Sequence, residues 1–103
     1  MALKLIWQTQ AADELAEIYE YIESQDGPEL AHKVAQQLYA LILSIPEAPM
    51  MGRMVPEFDR VDVRERIHGR YRIVYWVGKG AVKILACWHT ARPLPSILAL
   101  LQG

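Results

Sequence analysis

Apolar positions along this chain recur with a helical period in its first half and a strand period in its second. Ala11, Leu15, Ile18 and Ile22 fall at spacings of 4, 3 and 4, the stripe of an amphipathic helix flanked by Tyr19 and Tyr21. Thr9 is the expected N-cap, with Asp13 and Glu14 near the positive end of the helix dipole. A second stripe follows in Ala31, Val34, Leu38, Leu41 and Ile45, widened by Ala35 and Ile42. Ser24-Gln25-Asp26-Gly27-Pro28 separates the two. Gly27 suits the position just past a helix end, and Pro28 suits the first turn of the next helix. The spacing therefore predicts two helices, the second from about Pro28 to Ser44, folded into an antiparallel hairpin.

Beyond Arg60 the period becomes two. Tyr71, Ile73, Tyr75 and Val77 alternate with Arg72, Val74 and Trp76, as in a half-buried strand. His68-Gly69 is the turn before it, because glycine tolerates positive φ. Val61 to Ile67 reads likewise, with Val61, Val63, Glu65 and Ile67 opposite Asp62, Arg64 and Arg66. After the Gly78-Lys79-Gly80 turn, Ala81 to Trp88 is the last central strand, with Val82, Ile84 and Ala86 opposite Leu85 and Cys87. Turns this short imply an antiparallel meander. Leu3 to Trp7 reads as an opening strand. Pro46, Pro49, Gly52 and Pro56 forbid a regular helix between Ile45 and Arg60, where Met54 to Glu57 is placed to pair briefly as a strand. After His89-Thr90-Ala91-Arg92-Pro93 leaves the sheet, the apolar tail from Ser96 to Leu101 suits a short helix. The order β-α-α-β-β-β predicts an α+β fold with the helical hairpin over one face of a mostly antiparallel sheet, residues 1–103 making one domain.

A hydrophobic content of 52% is enough for a packed core. The single cysteine, Cys87, excludes an internal disulfide and reads as a small buried apolar side chain. With three scattered histidines it makes no zinc-ligand spacing, so neither a metal nor a cofactor is expected. The start of the chain has no basic region followed by a long apolar one, and no apolar run approaches the roughly 20 residues of a membrane span. A cytoplasmic location is the resulting expectation. The net charge of −1 hides an asymmetry: residues 1–52 carry −6 and residues 53–103 carry +5. A basic half points to an anionic partner, either nucleic acid or an acidic protein segment; unevenly placed solvated charges are the plainer alternative. Direct reading of DNA by a helix-turn-helix is not expected, because the second helix carries only Lys33 as a base.

Six blocks stand out along the chain: Ile6-Trp7; Ala12-x-x-Leu15-x-x-Ile18-x-x-Tyr21-Ile22; Gly52-Arg53-x-Val55-Pro56-Glu57; Val63-Arg64-Glu65; Tyr71-Arg72-Ile73-Val74-Tyr75; and His89-x-x-Arg92. Together they resemble the RelE/ParE superfamily of type II toxins over nearly the whole chain. The resemblance implies a small intracellular toxin neutralised by a cognate antitoxin. It also leaves two targets open. ParE-like members poison DNA gyrase. RelE-like and YoeB-like members cut messenger RNA on the ribosome without a metal. For the latter, Glu57 would be the general base, Arg72 the phosphate clamp and His89 the general acid. Residues 46–60 contain no lysine, Thr90 stands where YoeB-like chains carry an aromatic, and the chain is not basic overall. These features favour the ParE-like branch, a gyrase poison of the ParD-antitoxin type rather than an enzyme. A non-toxic binding module of the same fold is a further alternative. Arg53, Arg64, Arg66 and Arg92 are the candidates for target or antitoxin contact. Arg72 has a plain role open to it as well, an ion pair with Glu65 or Glu57.

Overall fold

The helical hairpin forms where its two stripes place it. The structure, a computed structural model, describes residues 3–102; residues 1, 2 and 103 of the expected domain lie outside them. Strand β1 (Lys4–Trp7) leads into helix α1 (Thr9–Asp26) and helix α2 (Pro28–Ser44). Only Gly27, at φ 96°, separates the helices, a conformation that suits a residue without Cβ. Two single 3₁₀ turns, Ile45–Glu47 and Pro49–Met51, follow, then β2 (Arg53–Met54), β3 (Val63–His68), β4 (Tyr71–Val77), β5 (Ala81–His89) and α3 (Ile97–Gln102). The strands lie in the order β1-β5-β4-β3-β2, with β1 parallel to β5 and every other pairing antiparallel.

Both faces of this sheet are covered. On one, Ala11 of α1 and Leu38 and Ile42 of α2 pack with Ile45 against Ile73, Tyr75, Val82, Ile84 and Cys87. On the other, Val55, Val63, Val74, Leu85 and Ala86 pack around Leu100 of α3. The apolar tail is thus the cover of the second face. It is short, six residues, and packs on β5. Ile67, farther out on β3, is 50% exposed although it shares a face with Val63.

Four local expectations are corrected. The pairing Val74↔Ala86 is followed by Tyr75↔Ile84, which leaves Leu85 as an extra residue in β5. This β-bulge resets the alternation. Leu85 and Ala86 both face α3, and Cys87 rejoins Val82 and Ile84 on the hairpin side. Thr9 is the first helical residue rather than the cap. Gln8 occupies the cap position without a side-chain bond, and Asp13 and Glu14 fall beyond the first turn. The brief edge strand is Arg53–Met54 rather than Met54–Glu57, and β3 starts at Val63 rather than Val61.

Candidate functional site

Arg72 is the second residue of β4, opposite Ile67 on β3 and Trp88 on β5, on the α3 side of the sheet. Its side chain is 8% exposed. Both terminal nitrogens grip Glu57, Nη2 to Oε2 at 2.6 Å and Nη1 to Oε1 at 3.3 Å. Nη1 also donates to Oε1 of the fully buried Glu65 at 3.1 Å, whose Oε2 receives Nε of Arg53 at 2.7 Å. The result is a chain of alternating charges, Glu57–Arg72–Glu65–Arg53. Burial opposes the Arg72 cation, but its two carboxylates outweigh that and hold its pKa above the ordinary value. The hydrogen bonds from Arg72 hold the Glu57 carboxyl below the usual carboxylate range. A carboxylate held this way has lost basicity, and a guanidinium with both ends occupied has little left for a third anion.

This pairing predicts a pH dependence. Because the folded-state pKa of Glu57 lies below its unfolded value, its contribution is complete above the unfolded value and is lost as pH falls through the folded one. Glu57→Gln is therefore expected to melt below wild type at neutral pH, with the two melting temperatures converging on acidification. A gap that stayed constant into strong acid would show that ionised Glu57 contributes nothing.

His89 ends β5 directly opposite Tyr71, so it faces the helical hairpin, on the other side of the sheet from Arg72. Its Nδ1 accepts the Ala91 N–H at 3.0 Å, and its ring meets Tyr71 edge-on at 5.6 Å. It belongs to a groove of about 1010 Å³ between α1 and the adjoining ends of β4 and β5. Asp13, Glu14 and Glu17 line the α1 wall; Arg70, His89 and Arg92 line the other. Glu14 reaches inward, where its Oε1 accepts the Cys87 N–H at 3.0 Å and its Oε2 accepts Gln10 Nε2 at 3.2 Å. Burial raises its pKa, the two hydrogen bonds notwithstanding. Burial also pushes the Cys87 thiol up to about 12, so it stays protonated and inert at neutral pH.

The expected contact residues are divided between these regions. Arg92 lies over the Trp88 ring at 4.3 Å, beside His89 in the groove. Arg53 ends the charge chain at the surface, on the far side of Glu65. Arg64 donates to the carbonyls of Gly52 at 3.0 Å and Val61 at 3.1 Å. Arg66 makes no salt bridge to a carboxylate among the described residues. The groove as such was missed from sequence. Its only signal was the run of α1 acids at positions 13, 14 and 17, of which Asp13 and Glu14 were read as complements of the helix dipole. Among the described residues, no group of three or more histidine, cysteine or acidic side chains is placed to hold a metal ion. No described helix is long and apolar enough to cross a membrane.

Residues 5–94 match the family model for the ParE toxin of the type II toxin–antitoxin system, parDE. The chain belongs to the ParE toxin family. No curated protein is similar to it in sequence. Among solved structures it is similar to the chromosomal ParDE toxin–antitoxin system of P. aeruginosa, with a TM-score of 0.72 and 22% identity over 85% of this chain and 96% of that one. It is also similar to the YoeB dimer of Staphylococcus aureus, with a TM-score of 0.56 and 21% identity over 86% of this chain and 99% of that one. At such identities the two structures speak for the fold alone. The α+β fold expected from the RelE/ParE resemblance is the fold of this ParE-type toxin.

Proposed function

We propose that this ParE-type toxin acts in the cytoplasm by inhibiting DNA gyrase, that a cognate antitoxin neutralises it, and that it does not cleave RNA. The observation that carries the last point is the sheet between His89 and the Glu57–Arg72 pair. Cleavage at one phosphate needs the base, the clamp and the acid around that phosphate. Here the first two grip each other on one face, and the third stands on the opposite face. The antitoxin segment suited to the groove is an amphipathic, partly disordered one. Its apolar side chains would meet Ile18, Tyr21, Tyr71 and Trp88 on the floor and sides, and its charges of both signs the two walls.

The likeness to YoeB favours ribosome-dependent mRNA cleavage as a second reading, with Glu57, Arg72 and His89 in the roles given above. Two assays with the purified toxin separate the two. Loss of gyrase supercoiling activity with intact mRNA on purified ribosomes is the expected pair of results. Site-specific mRNA cleavage that His89→Ala abolishes would overturn the proposal.

A further inference from the structure

The sheet edge formed by β2 combines exposed apolar side chains with cations that lack a carboxylate. Met50, Met51 and Met54 are 52%, 68% and 40% exposed, and Ile67 is 50% exposed. Met51 and Ile67 lie with Gly52, Arg53, Glu65 and Arg66 around a notch of about 220 Å³, room for one side chain. Among the described residues β2 pairs with β3 and with no other strand, which leaves its outer backbone groups free.

The notch is held in shape from beneath. The Tyr75 hydroxyl donates to the Pro49 carbonyl at 2.7 Å and accepts the Gly52 N–H at 3.2 Å. A Cβ at Gly52 would run into that hydroxyl and into the Glu65 carbonyl oxygen, so only glycine lets the chain lie this close to β3. Arg64 is anchored through main-chain carbonyls, and neither it nor Arg66 has a salt-bridge partner among the described residues. The edge thus presents adaptable thioethers, one preformed notch and two cations without carboxylate partners.

We infer that this edge is where the toxin grips its protein target, and that its occupant is an extended segment in which apolar and acidic residues alternate. The segment adds to the outer side of β2 through main-chain hydrogen bonds. One apolar side chain enters the notch between Met51 and Ile67, and its acidic neighbours reach Arg64 and Arg66. Nucleic acid fits less well, because none of the notch residues is aromatic and so none offers a base a ring to stack on. The inference rests on the toxin reading but not on gyrase being the target.

The test uses the whole toxin carrying Met51→Glu or Arg66→Glu, with Glu20→Lys on the exposed face of α1 as the charge-change control. Both edge variants are expected to need at least about tenfold more inducer to halve growth, and about tenfold more protein to inhibit gyrase, at an unchanged melting temperature. The control should match wild type. If Arg66→Glu melts early, Met51→Glu, at a far more exposed position, decides. Edge variants as potent as wild type would overturn the surface and leave the gyrase proposal standing. A wild-type toxin that arrests growth without inhibiting gyrase would overturn the gyrase proposal, and the growth assay would still judge the surface. Wild-type binding to a single-stranded oligonucleotide that falls steeply with salt and is lost in Arg66→Glu would make the edge a nucleic-acid site and overturn the inference. So would a wild-type chain that fails to arrest growth.

Discussion

Arg72→Ala is expected to destabilise the fold by about 3–5 kcal/mol, the largest loss from any single change of charge in the protein. The guanidinium is 8% exposed, and beneath it Glu65 has no exposed side-chain surface. Removing Arg72 leaves that carboxylate with Arg53 alone, whose side chain is 60% exposed and reaches it through one nitrogen. It also frees Glu57, but Glu57 is 41% exposed and can be hydrated, so most of the cost falls on Glu65. Thermal melting should show a fall of more than about 10 °C for a domain of this size. Arg72→Met combined with Glu65→Leu should recover most of the loss, because replacing a buried ion pair by apolar side chains is often neutral or better. The double variant also separates folding from toxicity. If it folds and still arrests growth, Arg72 serves the sheet. If it folds and is harmless, the Arg72–Glu65 pair serves the toxic surface, Glu65 as part of the notch beside β2. A single Arg72→Ala variant that melted with wild type would show that the charge chain contributes nothing to stability.

Tyr75→Ala is expected to cost about 3–5 kcal/mol for the lost ring. Tyr75 is the largest fully buried side chain, packed among Leu38, Ile42, Ile73 and Ile84. Its hydroxyl also ties the Pro49–Gly52 segment to the sheet. Tyr75→Phe isolates this second role. It keeps the ring and leaves the Gly52 N–H and the Pro49 carbonyl without their partner, a loss of about 1–3 kcal/mol. Urea unfolding should therefore rank wild type above Tyr75→Phe above Tyr75→Ala. In hydrogen exchange, the Phe variant should lose protection at Gly52 and its neighbours while the core strands stay protected. Equal protection there in wild type and Tyr75→Phe would mean that the hydroxyl does not hold the edge.

The spacing of the apolar residues determined the two helices and the side of each β4 residue, and the short turns determined the β3-β4-β5 meander. Periodicity is a local property, and burying one stripe of a helix or one face of a strand leaves few alternatives. Tyr71, Ile73, Tyr75 and Val77 thus all turn toward the hairpin, as their alternation required. Glu57 and Glu65 were also legible as possible partners of Arg72, since an arginine within a strand must find a carboxylate if it is buried.

Other features depended on which distant segment arrived beside which. The bulge at Leu85 comes from strand register, and it reversed the expected sides of Ala86 and Cys87. The carboxylate under the Cys87 N–H comes from Glu14, 73 residues away. No spacing rule placed His89 and Arg72 on opposite faces; their partners across β4 and β5 did. In sequence Met50 and Met51 looked like residues of a turning segment, and Met54 like the start of a brief strand. Their exposure beside Arg64 and Arg66 follows from a two-residue edge strand that nothing else in the described chain covers. Sequence pattern fixes what a segment needs to bury, whereas pairing register and chain return decide which charges are neutralised and which are left for a partner.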